Sequence, residues 1–333
     1  MRTSSIPKEA VKLGVGQRLV LGEGSHGHLG KLSSAVYNTI WRVRGRPMDF
    51  KDLLTKQGFD LDKVMVLRHR PTEPALRKVL PWLAAERPQV FNAYQRSQNP
   101  DAEKALMKAE IVASFIAQED EKALFVGFYR RKEWHPITNE QYWAIPENAE
   151  MKPFGLGGIK NRETALWFDL EPMDIYNEWK GRLVVKWPPG RLWWRWAKNN
   201  DFPIHAIHEE SLLDAEMPSW ERLSLTWEDL RVLPTKWKTA LRQWRGIYYI
   251  FDVKVGKGYI GSACGEENIL GRWLDYAASG HGGNKKLRER KPSDFLFTIL
   301  QRTSPDMERD EIGLLESSWK DRLHTRDCGL NDN

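Results

Sequence analysis

Cysteine is scarce in this chain of 333 residues, which holds only Cys264 and Cys328. The two lie in unrelated contexts and form no Cys-x-x-Cys pair, so neither a disulfide framework nor a zinc cluster is expected. No uninterrupted apolar run approaches the roughly 18 residues that a membrane-spanning helix requires. The first residues lead into no apolar segment of the kind that a secretory signal contains. These absences favour a cytoplasmic protein with no membrane partner.

The charge balance is basic, and most of the excess lies upstream. The chain has 51 Lys and Arg against 45 Asp and Glu, for a net charge of +6 and a pI of about 9.1. Residues 241–333 hold 15 and 14 of these, which leaves 36 and 31 in residues 1–240. Of the 16 tryptophans, 13 precede residue 240. This composition is compatible with a polyanionic partner, and the surface of the protein that would bind that partner is expected upstream of residue 240.

Acidic residues are absent from Lys180–Lys198, in which six basic residues alternate with tryptophans around Pro188-Pro189-Gly190. This pattern predicts a strand–turn–strand or strand–turn–helix unit. In a strand pair, the cations would line one face because alternate residues face opposite sides. Cations neutralise phosphates, and a tryptophan stacked on a base contributes about 1–3 kcal/mol. The alternative is a tryptophan-rich core hairpin with a solvated basic edge. The predicted nucleic-acid contacts here are Arg182, Lys186, Arg191, Trp193, Trp194 and Arg195.

The organisation of the first 244 residues is predicted only coarsely. Residues 1–44 are Gly-rich and are expected to form an arm. Residues 45–232 read as a mixed α+β domain of many short strands, for which a curved sheet or a barrel of the PUA-like type is expected. Within it, Arg68-His69-Arg70-Pro71 forms a basic corner that could hold a phosphate or could be a solvated loop. Residues 233–244 are expected to be a connecting helix.

A carboxylate interrupts the apolar face of the last predicted helix, Asp306–Leu323. At 100° per residue, Ile312, Leu315, Trp319 and Leu323 form one stripe, and Glu316 falls within it, about 40° from Ile312. Burying a carboxylate costs several kcal/mol unless it is paired or binds a cation. Glu316 is therefore predicted either to ligate a metal or to pair with Arg272 or a lysine.

Two triplets within Arg245–Ala263 predict a β-hairpin. Gly246-Ile247-Tyr248 and Tyr259-Ile260-Gly261 lie in aromatic and β-branched flanks around a glycine turn. The hairpin would bring Tyr248 and Tyr259 together on neighbouring strands. A helix is predicted over about Asn268–Ser279, with Arg272 and Tyr276 on one face at i, i+4 spacing. Gly280-His281, the basic run Lys285–Lys291 and a third strand at 295–300 follow.

Together, these features make residues 245–333 similar to the GIY-YIG nuclease family. The resemblance implies a three-stranded antiparallel sheet flanked by helices, double-stranded DNA as substrate, and a divalent cation, Mg²⁺ or Mn²⁺, held by Glu316. Some relatives have a histidine where this chain has Tyr276, so His281 is an alternative for that role. The catalytic residues implied by the resemblance are Tyr248, Tyr259, Arg272, Tyr276, His281 and Asn331.

The expected function is thus that of a Mg²⁺-dependent DNA endonuclease. A restriction or phage-defence enzyme is the preferred role, with residues 45–232 selecting a sequence or a modified base. Lys285 and Lys286 are predicted to contact DNA. Alternatives are a mobile-element or repair nuclease and, from another class, a non-catalytic DNA-binding module. Since one site cuts one strand, cutting both strands requires a homodimer on DNA or two visits.

Overall fold

The computed structural model describes residues 42–43, 46–119, 121–213, 216–288 and 290–332. It contains two compact units, one ending at Pro47 and the other spanning Met48–Asn333. The predicted arm over 1–44 lies outside the described residues except at 42–43. None of the helices in the described ranges is both long enough and apolar enough to cross a membrane.

The strands are β1 (Arg42–Val43), β2 (Arg46–Pro47), β3 (Val64–His69), β4 (Ile111–Ala117), β5 (Lys122–Thr138), β6 (Thr164–Met173), β7 (Leu183–Lys186), β8 (Trp194–Trp196), β9 (Ile204–Ile207), β10 (Ser224–Thr226), β11 (Arg245–Asp252), β12 (Lys257–Ala263) and β13 (Phe295–Thr303). The helices are α1 (Phe50–Lys56), α2 (Pro74–Glu86), α3 (Pro88–Arg96), α4 (Pro100–Leu106), α5 (Asn139–Ala144), α6 (Pro146–Met151), α7 (Trp227–Arg231), α8 (Thr235–Gln243), α9 (Asn268–Ser279) and α10 (Arg309–Arg322). Short 3₁₀ turns cover Leu61–Lys63, Lys152–Phe154, Asn177–Trp179 and Pro292–Asp294. In the first unit, β1 and β2 pair antiparallel.

A mixed sheet organises residues 48–213. Its strand order is β8-β3-β4-β5-β7-β9, with β6 also paired to β5. β3 and β4 are parallel, and the other pairs are antiparallel. The sheet curls because β5 is long, pairing with β4 and β7 along its first part and with β6 along the rest. Within the described residues β8 and β9 do not pair, so the sheet is curved and open, and the PUA-like barrel is not seen.

Both faces of this sheet are covered. In β3, Met65 and Leu67 face a core shared with α2, α3 and α4, while Val64 and Val66 face a second core shared with α1. Every residue of β3 is buried. A strand covered on both sides reads as a continuous apolar run, which is why the sequence marks β3 clearly. A β-bulge between β4 and β5 lies beside Gly127, where the strand-interior glycine suggests an irregularity.

The basic, tryptophan-rich stretch does not form the predicted strand pair. β7 and β8 both lie in the curved sheet, but β3, β4 and β5 separate them. β8 instead pairs with β3, with Trp194 opposite Leu67 and Arg195 opposite Val66. The stretch therefore crosses from one side of the sheet to the other, because each half gains more burial against a distant strand than against its neighbour in sequence.

A second sheet, with the order β10-β13-β11-β12, organises the last third of the chain. It has four antiparallel strands, where the resemblance implied three. The extra strand, β10, comes from residues 224–226, which fall within the range predicted for the recognition domain. The reason is apolar burial, since Leu225 lies opposite Phe297 and both side chains are in the core.

Helices cover the two faces of this second sheet. On one face α9 contributes the buried Leu270 and Trp273, and its bounds are the predicted ones. On the other face α10 packs against β11 and β12 through Ile312, which is fully buried. α10 begins at Arg309, three residues later than expected, because Glu308 and Glu311 form a capping box at its start.

Candidate active site

Three tyrosines converge at the hairpin. β11 and β12 pair so that Tyr248 lies opposite Gly261 and Tyr259 lies opposite Ile250, which puts both rings on one face. Tyr276, from α9, completes the cluster, with ring centroids 6.1 Å from Tyr248 and 5.5 Å from Tyr259. The hydroxyls of Tyr248 and Tyr276 are 3.4 Å apart. The structure thus brings together the three predicted phenols from three elements.

Gly261 has a steric reason to be glycine. The ring of Tyr248 lies across it, and a Cβ atom built on Gly261 would overlap the Tyr248 hydroxyl. Gly282 plays a similar part on the other side of the cluster. It has a left-handed backbone (φ +48°), and a side chain there would overlap the ring of Tyr276. The backbone of these two glycines therefore packs directly against the rings of Tyr248 and Tyr276.

Two of these tyrosines, Tyr248 and Tyr259, are held in the neutral form. Burial, followed by the nearby Tyr276 and Tyr259, holds the pKa of Tyr248 well above its ordinary value near 10, and Arg272 acts in the opposite direction. Burial also raises the pKa of Tyr259, and Tyr276 and Glu316 raise it further. Deprotonating either phenol at neutral pH therefore requires additional positive charge beside it.

Arg272 supplies a cation at the edge of the cluster. Arg272 lies on α9, one turn before Tyr276. Its Nε donates to the Ser262 carbonyl on β12 at 3.4 Å. The side chain is exposed. The pKa of Arg272 is raised, chiefly by Tyr248, so the guanidinium stays charged. It lines a cleft of about 350 Å³ together with Asp275 and Arg309.

Glu316 is held in an ion pair with Lys320. Its Oε1 lies 2.8 Å from the Lys320 Nζ, and the two side chains are 19% and 6% exposed. Of the alternatives left open by the helical pattern, the structure shows a lysine partner and not Arg272. Sequence reasoning missed Lys320, although its i, i+4 spacing from Glu316 is the signal for such a pair. Glu316 is close enough to Tyr259 to raise the pKa of that phenol.

Asn331 clamps the edge strand of the sheet. Its Oδ1 accepts from the Ile260 N–H at 2.9 Å, and its Nδ2 donates to the Ile260 carbonyl at 2.8 Å. Asn331 is fully buried. Since both ends of the amide serve the backbone next to Tyr259, Asn331 holds β12 in place and does not point its polar atoms at a substrate.

His281 lies in the loop that follows α9. Its Nδ1 accepts from the Gly283 N–H at 2.9 Å, so the neutral ring carries its proton on Nε2. Gly282, next to it, packs on Tyr276. The loop therefore borders the cluster. No contact between His281 and the three phenols is seen within the described residues.

The predicted DNA-contacting residues differ in their exposure and in their contacts within the protein. In the nuclease-like part Lys285 is exposed, but the Lys286 Nζ donates to the Asn331 carbonyl at 2.6 Å and lies 3.6 Å from Asp332. Upstream, Arg182 donates to the carbonyls of His208 and Glu178.

The remaining upstream residues divide between surface and core. Lys186 and Arg191 are exposed. Trp193 and Trp194 are half-buried against the core beneath the helices. Arg195 donates to the Pro189 carbonyl at 2.9 Å. The upstream set is therefore partly exposed and partly engaged in contacts within the protein.

The donor set can be compared with what a divalent cation needs. Among the described residues no cluster of three or more His, Cys, Asp or Glu side chains could hold a metal ion. Mg²⁺, however, often keeps several waters and binds through one or two carboxylates together with substrate phosphates. Glu316 offers one carboxylate, whose Oε1 pairs with Lys320. A site completed by water and a phosphate fits this arrangement.

Comparisons with known proteins found similarity over part of the chain. No protein-family model matches, and no curated protein matches. Two solved structures are similar over 27% of this chain. One is a mutant of the catalytic domain of the intron endonuclease I-TevI, with 25% identity, 95% of that chain covered and a TM-score of 0.24. The other is the catalytic domain of the homing endonuclease I-TevI, with 28% identity, 98% covered and a TM-score of 0.23.

Proposed function

We propose that this protein is a DNA endonuclease that hydrolyses phosphodiester bonds at the cluster of Tyr248, Tyr259 and Tyr276. The observation that supports it best is the convergence of side chains from separate elements. The phenols come from β11, β12 and α9, and both Arg272 and Glu316 are near enough to shift the pKa of Tyr259. These are the residue types that phosphodiester hydrolysis requires: proton acceptors, a phosphate-binding cation and a carboxylate.

The roles of the residues follow from their chemistry. A water attacks phosphorus while the bond to the 3′ oxygen breaks, so one proton must leave the water and one must reach the leaving oxygen. Tyr248 is our assignment for the base, and Arg272, as a planar fork, binds the non-bridging oxygens as charge develops. Tyr259, Tyr276 and His281 position the water. A Mg²⁺ or Mn²⁺ ion held by Glu316 would supply Lewis-acid stabilisation of the phosphate and leaving oxygen.

Glu316→Gln tests the site most directly. We expect cleavage of phage DNA in Mg²⁺ to fall at least about 100-fold, because the amide cannot replace the charge of a ligating carboxylate. DNA binding, measured by gel shift, should change little. Asp310→Asn is the matched control, since it removes an exposed carboxylate from the same helix. Wild-type cleavage by Glu316→Gln would show that the site is wrongly placed.

The biological role that we propose is restriction or phage defence, with residues upstream of β10 selecting the target. Support comes from the size of the curved-sheet region, which is larger than cleavage alone requires. Two phage DNAs, one unmodified and one rich in modified cytosine, separate the possibilities. Cutting of the modified DNA alone indicates a modification reader, and discrete fragments from the unmodified DNA indicate plain sequence recognition. No cutting of either, with binding retained, favours the non-catalytic DNA-binding module.

A further inference from the structure

A large cavity lies in the curved-sheet region, away from the tyrosine cluster. Its volume is about 740 Å³, within the range of roughly 300–1,000 Å³ typical of ligand sites. Segments far apart in the chain line it: the end of β3, the end of α3, α5, the loop 156–162 and the segment before β8. Tyr94, Tyr142 and Trp193 bring aromatic rings to the wall.

Two phenol hydroxyls, those of Tyr142 and Tyr94, belong to this wall. Tyr142 is 4% exposed, and burial raises its pKa, as it does that of Tyr94. Within the described part of the chain, neither phenol oxygen has a hydrogen bond, although both rings make aromatic contacts. Neither oxygen is fully enclosed by protein, so both are open to a polar ligand in the cavity.

His69 adds a neutral acceptor to the same wall. It is buried, and its Nε2 lies 3.3 Å from the Gln95 Oε1, which also accepts from the Ser114 hydroxyl at 2.5 Å. Because that amide oxygen can only accept, Nε2 of His69 carries the proton and Nδ1 is left as an acceptor. Burial lowers the pKa of His69 to about 4, so the ring is neutral at pH 7.

Positive charge lies at the edge of the cavity. Arg70 and Lys160 line it, are exposed and have no ion pair within the described ranges. Arg162 is committed elsewhere, since it pairs with Glu103 at 2.8 Å and donates to the Gln98 carbonyl. Glu73 is the one carboxylate on the wall among the described residues. A neutral, aromatic interior with hydrogen-bonding groups and a largely cationic edge suits a nucleotide whose base enters and whose phosphates stay outside.

We propose that this cavity takes up a single base swung out of the DNA duplex, with Trp193 and Tyr94 against its faces and the Tyr142 hydroxyl on its edge. This inference rests on the proposed function, in which DNA is the substrate. Swinging a base out requires a few kcal/mol of unstacking and unpairing, and contacts in such a pocket offset that amount. A free nucleotide offers the same base and phosphate chemistry, and the test distinguishes it from DNA.

The first arm uses deoxynucleoside 5′-monophosphates of the four bases, of 5-methylcytosine and of N6-methyladenine. Titrations followed by saturation-transfer NMR on the full chain should show millimolar or tighter binding of at least one. Tyr142→Phe should weaken it about five- to twenty-fold. Tyr176→Phe, which removes a half-buried hydroxyl bonded to the Leu53 carbonyl outside the cavity, should leave it unchanged. No binding of any nucleotide at 10 mM overturns the proposal.

The second arm uses 30-bp duplexes that carry the base which binds, either paired or opposite an abasic site. The protein used is Glu316→Gln, so that the DNA is not cut. The unpaired base should bind at least ten-fold more tightly, and Tyr142→Phe should remove that gain. Nucleotide binding without any gain on the duplex indicates a free-nucleotide site and overturns the proposal. Either failure leaves Glu316-dependent cleavage by the wild type intact, so failure of the nuclease assignment is separately visible.

Discussion

The surroundings of Tyr248 in the tyrosine cluster raise its pKa well above the ordinary value for a phenol. Tyr248 is surrounded by two other phenols and by the backbone of Gly261, and it is fully buried. That environment disfavours phenolate, so the same packing that fixes its hydroxyl also makes it a weak base until positive charge arrives. Arg272 is the resident charge that acts against this effect.

The pH dependence of cleavage tests the assignment of Tyr248 as the base. If Tyr248 accepts the proton, its raised pKa means that the reactive phenolate grows about ten-fold per pH unit from pH 6 to 9. Single-turnover rates of cleavage across this range measure the slope. Tyr248→Phe should abolish it, and a slope retained by that variant would contradict Tyr248 as the base.

Gly261→Ala should disable the site through packing alone. The added methyl would meet the Tyr248 hydroxyl, so either the ring or β12 must shift. We expect at least a ten-fold loss of cleavage and a loss of about 1–3 kcal/mol in the free energy of unfolding, as for other overpacked cores. Gly265→Ala is the control, because a Cβ there meets open space. Equal behaviour of the two variants would contradict the role of Gly261.

The strands and helices of the last third are held in register by contacts from outside the sheet. β12 is the edge strand, and edge strands expose unpaired N–H and C=O groups. Here the side-chain amide of Asn331 forms hydrogen bonds with both the N–H and the C=O of Ile260. The Leu330 N–H donates to the Gly258 carbonyl at 2.9 Å. The chain terminus thus secures the strand that carries Tyr259.

Asn331→Ala is expected to lower the free energy of unfolding by about 2–6 kcal/mol. The change leaves the N–H and C=O of Ile260 without partners in a buried place, at about 1–3 kcal/mol for each. Asn200→Ala provides the comparison, since its half-buried amide makes one bond, to the Trp196 carbonyl at 3.0 Å. Urea unfolding measures both. Similar losses for the two variants would show that the clamp is unimportant for stability.

Across residues 48–333, the segment from α7 to α8 connects the two sheets through polar contacts at both ends. Lys78, on α2, pairs with Asp229 at 2.5 Å, and Glu86, at the end of the same helix, accepts from the Thr235 N–H and hydroxyl. Thr226, the N-cap of α7, also forms a capping box with Asp229. These residues therefore join the helical layer of the curved sheet to the segment before β11, and α8 lies within the range 233–244 predicted for a connecting helix.

Protonation of His69 should destabilise the fold. Its pKa is about 4 in the folded protein against 6.5 unfolded, so the unfolded state binds the proton more readily. Stability should fall as pH drops below about 6.5, with the loss complete somewhat below pH 4 and amounting to about 3 kcal/mol. In His69→Asn this part of the loss between pH 7 and 4 should vanish, whereas in the exposed His135→Asn it should persist. Urea titrations at each pH would measure the difference.

Local sequence signals were sufficient to predict the elements whose residues lie close together in the chain. α9 and the hairpin follow their predicted bounds closely, because helical periodicity, glycine turns and strand alternation act over a few residues. The same is true of the spacing that gathers Tyr248, Tyr259, Arg272 and Tyr276. Side chains at fixed offsets on neighbouring strands or one helix face can be placed from the sequence.

Contacts between distant segments could not be inferred in this way. The recruitment of β10, the separation of β7 from β8 and the two hydrogen bonds between Asn331 and Ile260 all depend on which surfaces meet when the cores close. The cavity beside His69 is built from five such segments, none of which marks a pocket by itself. Periodicity specifies which face of an element is buried, but competition among all apolar faces for burial decides what covers it.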